Sequence, residues 1–186
     1  MKNIICIVGN PNCGKTTLFN ALTGSKQEVG NWPGVTVDKK TGRYSFEGND
    51  VEIVDLPGIY SITPASTSGE DERIARDYIL TDEAQAVINI VDASNLERNL
   101  YLTAQLIEMR VPMVVAVNML DIAKNHKIEV DLKALQQALG CPVVGLVAAR
   151  EQGVRELQKT VAEFLKNPQL PPMNVSFEDR IEKARE

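Results

Sequence analysis

The feature that most constrains the fold of this chain is residues 9–16, GNPNCGKT, which fit the pattern G-x-x-x-x-G-K-[ST]. An apolar run at residues 4–8 predicts a strand before this loop, and residues 17–22 predict a helix after it. Backbone N–H groups of such a loop and the positive end of the helix dipole favour anion binding. We therefore expect a nucleoside triphosphate site, in which Lys15 contacts the β- and γ-phosphates and the Thr16 hydroxyl binds Mg²⁺. The alternative is a chance Gly-rich turn, which the flanking strand and helix disfavour.

Residues 24–36 form a long segment without a sustained hydrophobic period, and they include the only tryptophan of the chain, Trp32. A connection of this length is normally functional or disordered. Its composition favours a segment that orders around a ligand and relaxes without it. A plain surface loop anchored by Trp32 is the alternative. We expect Gly34, Val35 and Thr36 to contact the nucleotide, and the Thr36 hydroxyl to bind Mg²⁺.

Two strands joined by a turn at Gly48-Asn49 are predicted next, and the second ends in Asp55, Leu56, Pro57 and Gly58. Open α/β sheets bind ligands at the carboxyl ends of their strands. We expect Asp55 to hold Mg²⁺ through water and the Gly58 N–H to sense the γ-phosphate. The pattern D-x-P-G alone indicates only a turn. It supports a nucleotide site here because it follows the phosphate loop in the expected order and spacing.

A second group of candidate residues follows later strands, and it suits a guanine base. The buried strand predicted at residues 113–117 runs into Asn118, Met119, Leu120 and Asp121. Guanine presents an N1–H and a 2-amino group that one carboxylate can accept together, which adenine does not. Asn118 either bonds the acceptor edge of the base or ties neighbouring loops together.

Strands that alternate with helices predict an α/β fold. We expect a mostly parallel six-stranded sheet with one antiparallel strand and helices on both faces. Predicted helices include one from Glu70 to near Leu80, whose first acids are an alternative but weaker metal site, and one from Asp131 to Leu139. The domain is expected at residues 1–166, and residues 167–186 are interpreted as a Pro-rich linker and the start of a truncated helical domain.

Composition excludes several classes of function. Of the 186 residues, 44% are hydrophobic and 24% charged, which is typical of a soluble globule. The net charge of −5 argues against a broad nucleic-acid interface. Three cysteines without metal-ligand spacing favour a reducing compartment. No apolar run approaches the roughly 20 residues that a membrane span needs, so we expect a soluble, cytosolic chain.

The ordered motifs resemble those of Ras-like, translation-factor-related GTPases over roughly residues 1–166. A closer resemblance is to the N-terminal G domain of the FeoB family of bacterial ferrous-iron transporters. It is carried by residues 9–20, 29–37 (VGNWPGVTV), 55–58, 91–100 (VDASNLERNL) and 118–121. The resemblance implies slow GTP hydrolysis that gates or drives Fe(II) uptake, on the cytoplasmic side of the inner membrane. Its implied partners are a membrane region of the same polypeptide and small accessory transport proteins, with no nucleic acid.

The same resemblance implies K⁺ as an activator. The Asn12 side-chain carbonyl would be one ligand, and the backbone carbonyls of Gly30 and Trp32 would complete the shell. Asn12, Lys15, Thr36 and Gly58 are then the catalytic residues. The nucleotide-binding set is Gly9, Asn10, Pro11, Asn12, Cys13, Gly14, Lys15, Thr16, Thr17, Gly34, Val35, Thr36, Asp55, Leu56, Pro57, Gly58, Asn118, Met119, Asp121, Val147, Ala148 and Ala149.

Four positions depart from the patterns of the related proteins. Cys13 replaces the usual serine, and binding should survive because only its backbone is expected to face the phosphates. Met119 replaces a lysine whose alkyl chain packs on the base, which suggests modest affinity. Val147, Ala148 and Ala149 lie where related proteins often place a Ser-Ala pair that contacts the base. They lack the serine hydroxyl that would steady that loop, which favours faster nucleotide release. Ile59 stands where Ras-like proteins place the glutamine that orients water, which an apolar side chain cannot do.

Three alternatives remain at the level of the sequence. A P-loop ATPase or small-molecule kinase shares the phosphate loop but leaves residues 118–121 unexplained. A ribosome- or tRNA-associated GTPase shares every nucleotide motif, although the acidic charge and residues 30–34 argue against it. A regulatory GTP-binding module differs only in its rate of hydrolysis.

The first prediction concerns the choice of purine. With Mg²⁺ present, the chain should bind guanosine nucleotides and discriminate against adenosine nucleotides, because Asp121 accepts hydrogen bonds that only guanine donates. Isothermal titration calorimetry with GTP and with ATP measures the preference. Equal affinities would contradict the assignment of residues 118–121 to the base.

Overall fold

The computed structural model describes residues 2–62 and 69–172. Those residues form a sheet of seven strands in the order β2-β3-β4-β1-β5-β6-β7. The strands are β1 (Asn3–Gly9), β2 (Gln27–Asn31), β3 (Asp38–Phe46), β4 (Asn49–Asp55), β5 (Ala86–Asp92), β6 (Met113–Asn118) and β7 (Val143–Gly145). The helices are α1 (Lys15–Thr23), α2 (Glu70–Leu80), α3 (Leu96–Glu108), α4 (Leu120–Asn125), α5 (Leu132–Leu139) and α6 (Val154–Lys166).

The predicted fold class is confirmed, but the strand count is seven rather than six. Strands β4, β1, β5, β6 and β7 pair in parallel, while β3 pairs antiparallel with both of its neighbours. The additional strand is β2, which lies inside the segment interpreted as a loop. It is an edge strand whose residues are mostly exposed, and its pairing to β3 comes from backbone hydrogen bonds. Such a strand leaves no hydrophobic pattern in the sequence.

Two smaller differences concern local geometry. The hairpin turn is Glu47-Gly48 rather than Gly48-Asn49, because Asn49 already pairs with Phe46. Both turn residues have a positive φ, 49° for Glu47 and 81° for Gly48, which matches the twist of a two-residue hairpin. Helix α4, which the sequence analysis does not predict, is only six residues long. It is too short to produce a helical hydrophobic period.

Two hydrophobic clusters cover the two faces of the sheet. Side chains of β1 alternate between them: Ile5 and Ile7 lie in one cluster, and Cys6 and Val8 lie in the other. Helices α2, α3 and α5 pack on the face of Cys6, and α1 and α6 pack on the opposite face. Because both faces are covered, the central strands are apolar throughout, as in other parallel sheets. The parallel register brings the carboxyl ends of β1, β4, β5 and β6 to the same edge of the sheet.

Two predicted segments lie wholly or partly outside the described residues. Residues 63–68 of the polar stretch 61–69 lie outside them, as do residues 173–186 of the segment 167–186 that is interpreted as a Pro-rich linker and the start of a truncated helical domain. None of the six helices in residues 2–62 and 69–172 combines the length and apolar character that crossing a bilayer requires.

A buried polar contact fixes α3 against the central strands. Asn89 of β5 and Thr103 of α3 are both fully buried. The Thr103 hydroxyl donates to Asn89 Oδ1 over 2.5 Å, and Asn89 Nδ2 donates to the Val8 carbonyl over 3.3 Å. Since Val8 directly precedes the phosphate loop, this network connects α3 to the base of that loop.

The second prediction concerns the stability of this contact. Thr103→Val keeps the shape of the side chain but leaves Asn89 Oδ1 buried without its donor, which should lower the free energy of unfolding by about 1–3 kcal/mol. Thr103→Ser keeps the hydroxyl and removes one methyl group, so its loss should be about 1 kcal/mol or less. Urea denaturation followed by circular dichroism measures both. A valine variant as stable as the serine variant would contradict a role for the hydrogen bond.

Candidate functional site

The phosphate loop connects β1 to α1 and depends on two glycines. Gly14 has φ +92°, and a Cβ at this position would lie 2.2 Å from Asn118 Nδ2. A Cβ at Gly9 would lie 2.7 Å from the Ile90 carbonyl oxygen. The first backbone bond of α1 runs from the Leu18 N–H to the Gly14 carbonyl over 2.9 Å. The N–H groups that precede it have no acceptor within the helix, and they form the positive end of its dipole.

Side chains of the loop divide into buried and exposed groups. Cys13 is 1% exposed and packs beside Gly9, and burial raises the pKa of its thiol to about 11 although Lys15 acts in the opposite direction. The thiol is therefore protonated at neutral pH. Asn12 is exposed with φ 65°, and Thr16 and Thr17 are exposed on the first turn of α1. These three polar side chains are therefore accessible to a ligand.

An ion pair joins the phosphate loop to the end of β4. Lys15 Nζ lies 2.5 Å from Asp55 Oδ1, and the two side chains are 12% and 8% exposed. The structure thus brings together the two charged residues that the sequence assigns to phosphate and to Mg²⁺. Each charge compensates the other, since a nearly buried charge without a partner is unfavourable.

The segment after Asp55 is fixed to β1 and to the phosphate loop. The N–H groups of Leu56 and Ile59 donate to the carbonyls of Ile7 and Gly9 over 3.1 and 3.0 Å. A Cβ at Gly58 would lie 3.3 Å from Pro11, so the Gly58 backbone is close to the loop. Ile59 is 2% exposed within the core. The structure therefore agrees with the expectation that Ile59 does not orient a water molecule.

Asn118 links the phosphate side of the site to the base side. Its Nδ2 donates to the Cys13 carbonyl over 3.1 Å, and its Oδ1 accepts from the Ala148 N–H over 2.9 Å. The residue is 3% exposed, so both bonds are buried. Of the two roles that the sequence left open for Asn118, the structure shows the connection between loops.

The remaining base-side residues follow β6 and β7. Met119 has φ 61° and its Cε lies close to Gly14, while Asp121 is half-buried in the first turn of α4. Val147 and Ala148 are buried, and Ala149 is exposed. The backbone of Val147 pairs with that of Gln152, which steadies this loop without a side-chain hydroxyl.

Three further predicted ligands, Gly30, Trp32 and Thr36, belong to the β2–β3 hairpin. Gly30 pairs with Lys39 across the hairpin, and Thr36 is exposed in the connection that follows Trp32. Strands β3 and β4 lie between β2 and β1. The roles of Gly30, Trp32 and Thr36 as metal ligands stay predictions.

A polar cavity next to the phosphate loop contains residues that the sequence analysis did not assign to the site. Its volume is about 180 Å³, below the range typical of small-molecule sites, and its lining is largely polar. Asn10 Oδ1 is buried without a hydrogen-bond partner among the described residues, and the Arg98 guanidinium stacks 4.6 Å from the Tyr60 ring centre. The only sequence feature that points to these cavity residues is the run at residues 91–100, which carries part of the family resemblance. The lining residues are Asn10, Pro11, Asn12, Cys13, Tyr60, Asp92, Asn95, Arg98 and Asn99.

Comparisons with known proteins agree on one family. The sequence model of the family described as Ferrous iron transport protein B matches residues 3–161. The chain is 53% identical over 167 residues to the Fe(2+) transporter FeoB of Escherichia coli (strain K12), covering 89% of this chain and 22% of that protein. This chain therefore spans less than a quarter of the length of that relative.

Solved structures extend the similarity to the fold. The cytosolic domain of L. pneumophila FeoB is 45% identical with a TM-score of 0.85, and the match covers 94% of this chain and 73% of that one. A mutant of S. thermophilus NFeoB bound to GDP is 46% identical with a TM-score of 0.81, covering 88% of this chain and 61% of that one.

The third prediction tests the connection made by Asn118. Asn118→Asp keeps an oxygen that accepts from the Ala148 N–H. The amide that donates to the Cys13 carbonyl is replaced by a carboxylate oxygen, which cannot donate when it is ionised. Loss of this buried hydrogen bond should weaken GDP binding by about 5- to 150-fold. Fluorescence titration with a labelled GDP measures the change. Asn125→Asp, at the exposed end of α4, is the matched control, and equal affinities in the two variants would contradict the proposed connection.

Proposed function

Because the chain belongs to the Ferrous iron transport protein B family, we propose that it binds GTP and hydrolyses it slowly to gate or drive Fe(II) uptake. The observation that carries this proposal is the buried amide of Asn118, which joins the phosphate loop to the loop of Ala148. This link supports the proposal, because it would hold the triphosphate side and the purine side of the site in one arrangement. The GDP-bound S. thermophilus relative supports a guanine nucleotide as the ligand.

In the proposed complex, this chain contributes charge and orientation. The backbone N–H groups of residues 9–16 bind the phosphates, and Lys15 exchanges its contact with Asp55 for the β- and γ-phosphate oxygens. Asp121 accepts the hydrogen bonds of the guanine edge. Catalysis of phosphoryl transfer rests mainly on such positioning and electrostatic stabilisation.

Mg²⁺ fits the donor set of this site. Thr16 and Thr36 offer hydroxyl oxygens and Asp55 offers a carboxylate, which are the hard oxygen ligands that Mg²⁺ takes. Asp55 is nearly buried and its carboxylate is held beside Lys15, so it is positioned at the phosphate side of the site. When bound, Mg²⁺ supplies positive charge to the oxygens of the β- and γ-phosphates.

We propose that hydrolysis is slow because position 59, where Ras-like proteins carry the glutamine that orients the attacking water, is an isoleucine in this chain. Ile59 is buried in the core, and the Gly58 N–H is the group left to sense the γ-phosphate. Asn12 is the candidate ligand of an activating K⁺, and the exposure of its side chain within the phosphate loop supports this role. Gly30 and Trp32 would add backbone carbonyls after the β2–β3 hairpin moves.

The whole-protein role follows from the relatives. The chain covers 22% of the E. coli transporter, so we propose a membrane region of the same polypeptide as its main partner and small accessory transport proteins as further ones. The domain would then lie on the cytoplasmic side of the inner membrane.

The fourth prediction tests hydrolysis and its cation together. GTP turnover should be faster in KCl than in NaCl at equal ionic strength, by up to the roughly 100- to 1,000-fold that one well-placed electrostatic contact contributes. Asn12→Ala should remove the difference, whereas Asn20→Ala, on the exposed side of α1, should retain it. Release of inorganic phosphate measures the rates. Equal rates in both salts would refute the role of K⁺, and absence of phosphate release in both would refute the proposed hydrolysis.

A further inference from the structure

The segment after β4 presents one backbone donor that its neighbours do not share. The N–H groups of Leu56 and Ile59 donate to carbonyls of β1, and Pro57 has no N–H. Gly58 is half-buried, and its N–H donates to no acceptor within residues 2–62 and 69–172. Backbone donors away from bulk water are normally paired. The Gly58 N–H is therefore available to an acceptor from outside the protein, which is the γ-phosphate in the proposed function.

Two side chains of α3 hold the residues that follow Gly58. The Ile62 N–H donates to Gln105 Oε1 over 2.8 Å. The Arg98 guanidinium lies 4.6 Å from the centre of the Tyr60 ring. Because about two helical turns separate Arg98 from Gln105, both side chains lie on the same face of α3. We call these two contacts, Gln105 with Ile62 and Arg98 with Tyr60, the α3 anchor.

The two contacts of the anchor differ in burial and therefore in strength. Ile62 is 3% exposed, so its N–H would lack an acceptor if the Gln105 side chain were removed. Tyr60 is 46% exposed, and a cation beside an exposed ring contributes less. Gln105 is therefore the main contact, and Arg98 adds to it from the solvent side.

The anchored segment lies against the phosphate loop. A Cβ at Gly58 would lie 3.3 Å from Pro11, and Tyr60 and Arg98 line the same polar cavity as Asn12. The position of this segment thus decides how the Gly58 N–H meets a phosphate that is bound in the loop.

The orientation of Gly58 depends on restraints from both sides, because glycine restricts its own backbone less than any other residue. On the amino side, Pro57 has a fixed φ and Leu56 is bonded to β1. On the carboxyl side, the restraints are the Ile59 bond to Gly9 and the α3 anchor. The anchor acts only a few residues from Gly58, so its loss should loosen the segment at the free donor.

We propose that α3 positions the Gly58 N–H for the γ-phosphate, and that Gln105 and Arg98 are the positioning residues. They act through Ile62 and Tyr60. This inference rests on the proposed GTP binding and assigns two further residues to it. It carries a selective consequence, because GDP has no γ-phosphate: loss of the anchor should weaken triphosphate binding and leave GDP binding unchanged. A purely structural role of α3 would affect both nucleotides alike.

The fifth prediction uses Gln105→Met, which removes the acceptor of the Ile62 N–H without shortening the side chain. With Mg²⁺ present, this variant should bind guanosine 5′-[β,γ-imido]triphosphate about 2- to 10-fold more weakly than the unmodified chain, as expected for one hydrogen bond. Its affinity for GDP should be unchanged. Isothermal titration calorimetry with each nucleotide measures both affinities, and Gln105→Glu, which keeps an oxygen acceptor, should restore the affinity for the analogue.

A second glutamine provides the matched control. Gln136 Oε1 of α5 accepts from the Val143 N–H over 3.0 Å, at the amino end of β7 and thus away from the site. Gln136→Met should change neither affinity. Equal analogue affinities in Gln105→Met and Gln136→Met would overturn the inference, and so would equal losses for the analogue and GDP in Gln105→Met. If the unmodified chain does not bind the analogue at all, the proposed function is refuted and this inference with it.

Variants of Arg98 test the exposed half of the anchor, where a substitution does not disturb the core. Arg98→Ala should weaken binding of the analogue by about 2- to 5-fold without changing GDP binding, and Arg98→Lys should retain most of the affinity because it keeps a cation. Arg155→Ala is the matched control, since it removes a guanidinium that lies 5.7 Å from the centre of the Phe46 ring. The same ratio of analogue to GDP affinity in Arg98→Ala and Arg155→Ala would refute the role of Arg98.

Discussion

The arrangement of the site depends on a single buried amide. Asn118 Nδ2 donates to the Cys13 carbonyl in the phosphate loop, and Asn118 Oδ1 accepts from the Ala148 N–H. Through two hydrogen bonds of about 3 Å, one side chain thus joins residues that are 135 positions apart in the chain. Both bonds are shielded from water, which makes leaving either one unpaired costly. The same side chain also requires a glycine at position 14, because a Cβ there would overlap it. The conformation of the loop and the base-side residues are therefore not independent.

Much of the fold and part of the site could be predicted from sequence. The phosphate loop, the buried central strands and helices such as α2 and α5 follow from local patterns that the structure confirms. Strand β2 could not be predicted, because its residues are exposed and its partner is set by backbone pairing. The role of Asn118 was open for a related reason. Its two partners lie 105 and 30 residues away in the chain, and no local pattern specifies them.

The topology explains which predicted ligands lie together. Gly9, Asp55 and Asn118 end parallel strands whose register brings their carboxyl ends to one edge. The contact of Lys15 with Asp55 follows directly from this alignment. Gly30, Trp32 and Thr36 belong instead to a hairpin at the outer side of the sheet. Backbone pairing to β4 holds this hairpin on the sheet, and Trp32 in its connection also packs against Tyr78 of α2.

This difference divides the candidate site into a fixed part and a part that the proposed function requires to move. The fixed part is held by buried hydrogen bonds and by the core, so nucleotide binding should require little rearrangement there beyond the exchange of the Lys15 contact from Asp55 to the phosphates. In the second part, Trp32 lies beside one aromatic ring and one cation, and its buried indole N–H lacks an acceptor among the described residues. A γ-phosphate can shift an equilibrium only if it interacts differently with the two states. Thr36 is exposed in the structure, and under the proposed function it would supply that difference by binding Mg²⁺ beside the γ-phosphate.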